Sequence, residues 1–211
     1  MKKTLYSLML SDDVVREIDR LAHVQGTNRS NLINHILADY VSVITPEQRI
    51  NRIFKAVEEL LSPSRELVPF VSPNVPTMSL KSSLEYKYRP TIKYEVSLFG
   101  PESKDLGELS VVFRTQSPAL IEAMTAFFRL LKQTEDALLP HRHEYALYDG
   151  RFVRSIRCPE NVTDAEEIAS AISDYVTLFD KLMKGYICGG LTAQQVAEQY
   201  AAVYKHRKLW I

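Results

Sequence analysis

Apolar and polar positions change period twice within the first sixty residues, and each change marks an element. From Thr4 to Leu10 the side chains alternate: Tyr6, Leu8 and Leu10 share one face of a predicted strand, and Leu5, Ser7 and Met9 the other. Ser11 then stands where an N-cap belongs, with Asp12 and Asp13 in the first turn, where the helix dipole favours negative charge. Val14, Ile18, Leu21 and Ala22 recur at helical spacing, and Gly26 is placed to stop that helix. Asn28 caps a second helix whose stripe is Leu32, Ile33, Ile36, Leu37 and Tyr40. Thr45-Pro46-Glu47-Gln48 opens a third, with Pro46 at the first helical position and Gln48 closing a capping box on Thr45. Its stripe of Ile50, Ile53, Phe54, Val57, Leu60 and Leu61 reads as core packing that extends a dimer interface or docks a second domain.

Pro63, Pro69, Pro73 and Pro76 then interrupt every pattern, so residues 62–80 are expected to be an extended linker between a 1–61 unit and an 81–211 domain. Beyond it, Leu84, Tyr86 and Tyr88 alternate with Glu85, Lys87 and Arg89, and Ile92, Tyr94, Val96 and Leu98 alternate with Lys93, Glu95 and Ser97. Leu109, Val111 and Phe113 continue the alternation after turn residues Gly100-Pro101 and Gly107. Period two with one polar face predicts antiparallel strands covered on one side, with Tyr86, Tyr88 and Tyr94 in or beside the core. Ser117-Pro118 opens a helix with Leu120, Met124, Phe127, Phe128 and Leu131 on its apolar face. Tyr148-Asp149-Gly150-Arg151 reads as a hairpin turn. Thr163 with Glu166 makes a capping box for a helix carrying Ile168, Ile172, Tyr175, Phe179 and Leu182 and ending at Gly185, and Thr192 with Gln195 opens the last helix. Strands and helices segregate, so the expected fold class is α+β.

Composition narrows the field without choosing a function. The chain has 211 residues, 45% of them apolar, which is enough for a core, and its 26 basic residues balance its 26 acidic ones. Two cysteines, Cys158 and Cys188, exclude a disulfide-stapled scaffold. No apolar run approaches the roughly 20 residues of a spanning helix, and Ser11, Asp12 and Asp13 interrupt any signal-peptide core, so no membrane partner and a cytoplasmic location are expected.

A strand with two short helices cannot bury enough surface to stand alone. A twofold dimer repairs this, since two such strands pair as an antiparallel ribbon over four helices. One ribbon face is then left outward, and a two-stranded ribbon fits the DNA major groove. The run KKTLYSLMLSDDVVREIDRLAHVQGTNRSNLINHILADYV, residues 2–41, resembles the ribbon-helix-helix family of CopG-like and Arc-like DNA-binding proteins, in its basic N-terminus, its strand, Ser-Asp-Asp-Val-Val at the first cap, Gly26, and Asn-Arg-Ser opening the second helix. The resemblance implies an N-terminal ribbon-helix-helix dimerisation unit that binds double-stranded DNA sequence-specifically as a transcriptional repressor. By position, Leu5, Ser7 and Met9 would face base edges, Asn28, Arg29 and Ser30 would hold a phosphate, and Lys2 and Lys3 would add phosphate contacts. Two departures predict modest affinity: Leu5 and Met9 donate no hydrogen bonds, and the five basic residues of positions 1–43 are matched by five acidic ones.

Other signals are weaker. His141-Arg142-His143 with Cys158 invites a metal reading, but the spacing is long, and no metal or other cofactor is expected. Gly185-Tyr186-Ile187-Cys188-Gly189-Gly190 reads as a helix stop rather than an anion cradle. No nucleophile elbow or phosphate loop occurs, so an enzyme is not expected. A small-molecule pocket between sheet and helix would suit a sensing role for the second domain. Lys205-His206-Arg207-Lys208 followed by Leu209-Trp210-Ile211 is a basic tail that frays, meets DNA phosphate or tucks into a neighbour. Two rivals to the repressor stay open: an accessory DNA-binding protein of plasmid partition or conjugation, and an antitoxin-like protein-interaction module.

Overall fold

The structure, a computed structural model, describes residues 4–64, 66–71, 75–86, 89–140, 142–148, 150–157, 162, 164–207 and 209–211. Three helices come first, α1 (Asp12–Val24), α2 (Arg29–Tyr40) and α3 (Pro46–Leu61). They are followed by β1 (Val68–Val71), β2 (Thr77–Ser83), β3 (Thr91–Leu98), β4 (Gly107–Phe113), α4 (Pro118–Leu138), β5 (Tyr145–Tyr148), β6 (Arg151–Ile156), α5 (Ala165–Ile187) and α6 (Ala193–Lys205). The strands form one antiparallel sheet in the order β1-β2-β3-β4-β6-β5, so the fold is α+β.

Alternation in the strands decides which face is covered. Met78, Leu80, Ile92, Tyr94, Val96, Leu98, Leu109, Val111, Phe152 and Ile156 are all buried against the helices. The opposite face carries Thr77, Ser79, Lys81, Lys93, Glu95, Ser97 and Glu108. Where β3 meets β4, Gly107 pairs with Leu98, and a Cβ there would lie 2.0 Å from the Ser97 carbonyl oxygen, so the close approach requires glycine.

Helices supply the second layer. Leu120, Met124, Phe127, Phe128 and Leu131 of α4 are buried as their spacing predicts, and Phe128 stacks on Phe152 at 4.7 Å. Ile168, Ile172, Tyr175, Phe179 and Leu182 do the same for α5. The third helix changes the expected domain map. Ile53, Phe54, Val57 and Leu61 of α3 belong to the main core, with α3 lying along α5. The boundary expected after residue 61 therefore falls before α3.

The expected 62–80 linker likewise contains β1 and the first half of β2. Pro69 is tolerated because β1 is the sheet edge, where a missing N–H need not break a ladder bond. Of the strand expected over 84–88, the described residues 84–86 form no strand: the Leu84 N–H donates to the Pro90 carbonyl, and Arg89 beyond takes φ +41. Tyr86 is half-buried, and Tyr88 lies outside the described residues. Three helix signals also shift. Gly185 does not end α5, which runs to Ile187 before Gly189 takes φ +75. Asp164 caps α5 through the Glu166 N–H, and Thr163, the expected cap, lies outside the described residues. Ser11 has the extended backbone of an N-cap but makes no side-chain cap bond. The capping boxes on Thr45 and Thr192 both form.

One buried charge ties the layers together. Glu135 of α4 is fully buried and accepts from Arg154 Nε at 2.8 Å, Tyr145 Oη at 2.5 Å, Tyr175 Oη at 2.7 Å and Tyr200 Oη at 2.9 Å. Arg154, itself buried, stacks on the Tyr175 ring and donates to the Ile211 carbonyl oxygen at 2.7 Å. Burial alone would raise the Glu135 carboxyl, but the Arg154 charge and the tyrosine hydroxyls outweigh it and hold it below the ordinary carboxylate value. The tail expected to fray or reach outward docks on its own chain: Arg207 pairs with Asp174, Trp210 Nε1 donates to the Tyr204 carbonyl, and Ile211 is buried. Lys208 lies outside the described residues.

Candidate functional site

The resemblance places its site residues in the segment before α3, and the local physics there differs from the rest of the chain. Residues 4–10 form no strand and join no strand of the sheet. Both faces of the segment are open: Leu5 and Met9 are fully exposed at 96% and 102%, Ser7 is exposed, and Tyr6, Leu8 and Leu10 on the other face are exposed too. Lys2 and Lys3 lie outside the described residues.

The α1–α2 pair that follows buries little of its own. Ala22, Leu32 and Ala38 are covered, and Gly26 makes the turn with φ +62. Val14, Ile36, Leu37, Tyr40, Val41 and Val43 stay exposed, although Ile36, Leu37 and Tyr40 belong to the stripe that sequence assigned to burial. Contact with the body is thin: residues 23–26 face Asn51, Lys55, Glu58 and Val71 across a shallow cleft, and Gln48 Nε2 donates to Asp39 Oδ1 at 2.8 Å.

At the start of α2 the three expected anion ligands come together, but two are already engaged. Asn28 accepts the Asn31 N–H at 2.9 Å, which makes its side chain a cap. Arg29 makes a two-pronged pair with Asp19 of α1, Nε to Oδ1 at 2.7 Å and Nη2 to Oδ2 at 2.5 Å. The Arg29 hydrogen bonds hold the Asp19 carboxyl below its ordinary value. Ser30 is exposed. On α1, Arg16 pairs with Asp13 and Arg20 with Glu17, so its cations are matched within one turn. Sequence reading missed the Asp19–Arg29 pair because it depends on the angle between two helices, which no spacing rule encodes.

Sites outside this segment gain little. Among the described residues no group of three or more His, Cys, Asp and Glu side chains is placed to hold a metal ion. His143 Nδ1 lies 3.0 Å from the Ser155 carbonyl oxygen, and burial, then the Arg154 charge, push its imidazole down to about 4. His141 and Cys158 lie outside the described residues. The exposed Cys188 thiol donates to the Glu85 carbonyl oxygen. No helix among the described residues is long and apolar enough to cross a membrane. Compared with known proteins, the chain matches no family model, no curated protein and no solved structure.

Proposed function

We propose that the chain is a homodimeric ribbon-helix-helix DNA-binding protein acting as a transcriptional repressor. The observation that carries the reading is the exposure of apolar side chains along residues 4–10 and on the α1–α2 pair. A stretch in no regular element, with Leu5, Tyr6, Leu8, Met9 and Leu10 exposed, is followed by a helix pair that leaves Val14, Ile36, Leu37 and Tyr40 open. Pairing residues 4–10 with the same residues of a second copy satisfies the backbone donors of both and gives those side chains a common core. The outward ribbon face then carries Leu5, Ser7 and Met9 into the major groove, where the apolar pair meets thymine methyl groups and Ser7 supplies a hydrogen bond. The first N–H groups of α2, with Ser30, Arg29, Lys2 and Lys3, anchor the flanking phosphates. Repression follows by occlusion of the bound site.

The test is selection of genomic fragments by the purified full chain, with affinity read at two salt concentrations. A short, partly palindromic site bound in a salt-sensitive way supports the reading, and its genomic position separates a repressor from a partition or conjugation role. No fragment above background from a folded dimer overturns it. A second reading, a protein-interaction module, is favoured by one observation: Leu5 and Met9, which would read base edges, are fully exposed and donate nothing.

A further inference from the structure

A cavity of about 1160 Å³ opens between α3, the β3–β4 loop and the start of α5. Its floor is apolar, made by the half-buried Ile50, Ala56, Leu106 and Ala165. Four cations line it: Lys55, which pairs with Glu59, and three without an acidic partner among the described residues, namely Arg49, half-buried on α3, Arg52 one turn on, and Lys104 on the loop. Most of the acids around it are engaged. Asp105 pairs with Arg157 at 2.8 Å, Glu59 with Lys55 at 4.0 Å, and Asp164 caps α5. Glu102 has a partner of its own, which leaves the exposed Glu166.

A half-buried guanidinium with no acidic partner among the described residues, over an apolar floor, suits an apolar body that ends in an anion. We propose that this groove binds an amphipathic carboxylate, with the carboxylate taken by Arg49 and Arg52 in charge-assisted hydrogen bonds and the hydrocarbon laid along Ile50, Ala56 and Leu106. Lys104 closes over the anion from the loop side. The volume exceeds the range of roughly 300–1,000 Å³ typical of small-molecule sites, which leaves room for a long alkyl chain. The site stands on residues that the ribbon does not use and holds whether or not the chain binds DNA.

The experiment is calorimetric titration of the full chain with decanoate, decanol and decyltrimethylammonium, repeated on Arg49→Gln/Arg52→Gln and on Lys104→Gln. Decanoate should bind saturably and more tightly than the neutral and cationic chains. The double variant, which removes both guanidinium contacts, should weaken it at least about tenfold. Lys104→Gln, on an exposed loop where folding is not at stake, should weaken it several-fold. Absence of saturable binding, equal affinity for the three head groups, or decanoate affinity unchanged in both variants overturns the proposal. Sedimentation of the same samples covers the remaining occupant: a dimer that dissociates in the double variant while decanoate affinity stays constant makes the groove the seat of a second copy and also overturns it.

Discussion

Glu135 is the residue on which most of the molecule converges, since α4, β5, β6, α5 and α6 all send it a donor or contribute the carboxylate. A simple buried ion pair can be exchanged for apolar side chains at little cost. This one cannot, because the hydroxyls of Tyr145, Tyr175 and Tyr200 share the same acceptor. Glu135→Leu should therefore lose about 3–5 kcal/mol in urea unfolding, by leaving Arg154 charged and unpaired. Glu135→Leu/Arg154→Met should recover only a minor part, since each stranded hydroxyl costs about 1–3 kcal/mol. A double variant as stable as the unaltered chain would show that the hydroxyls find other partners.

His143 gives the same region a pH dependence. Its imidazole titrates near 6.5 when unfolded and at about 4 when folded, so between those values the unfolded chain binds a proton that the folded chain refuses. Stability should rise with pH through that window and be lost as pH falls. Glu135, held below its ordinary value of 4.5, withdraws its stabilisation only at lower pH still. Urea midpoints taken between about pH 5 and 7 thus isolate the histidine. His143→Gln, which keeps a donor for the Ser155 carbonyl, should flatten the slope, and an unchanged slope would assign it to another group.

At the scale of elements, local rules located starts and stops better than surroundings. The boxes on Thr45 and Thr192 and the turn at Gly150 were legible because their partners lie within three residues. The depth of α3 was not, since an apolar stripe states that a face is buried but not against what. β2 was hidden by its own side chains: Thr77, Ser79, Lys81 and Ser83 face outward, and Ser82 sits on the buried side, where alternation expects an apolar residue. The α1–α2 pair shows the limit most sharply for function, because Arg29 was readable as an anion ligand and its neutralisation by Asp19 was not. If the proposed DNA contact is right, Asp19→Asn should free the guanidinium, tighten binding to all duplexes and steepen the salt slope by roughly 2 for a dimer with two such contacts. Arg29→Ala should weaken all duplexes alike, whereas Ser7→Ala should change sequence preference. Asp19→Asn with an unchanged slope would remove Arg29 from the phosphate contacts.

At the scale of the whole molecule, the decisive boundary lies at Ile44 rather than at residue 62. Ala22, Leu32 and Ala38, the buried apolar side chains ahead of it, stand outside the main core, whereas Ile53, Phe54, Val57 and Leu61 stand within it. A chain of residues 44–211 keeps the Thr45 capping box and every main-core side chain, so it should unfold cooperatively at nearly the urea midpoint of the full chain. A chain of 62–211 loses four large buried side chains worth about 1.5–3 kcal/mol each. That sum is comparable with the whole stability of an ordinary domain, so this fragment should fail to fold. Conversely, a fragment of 1–61 would expose the apolar face of α3 and should aggregate rather than form a clean dimer. Sedimentation then joins architecture to function. If the second copy pairs through residues 4–41, the full chain is a dimer and 44–211 is a folded monomer. A folded 44–211 that remains dimeric would place the twofold contact on the sheet or the α3 groove, leave the exposed segment without its proposed partner, and remove the observation on which the DNA reading rests.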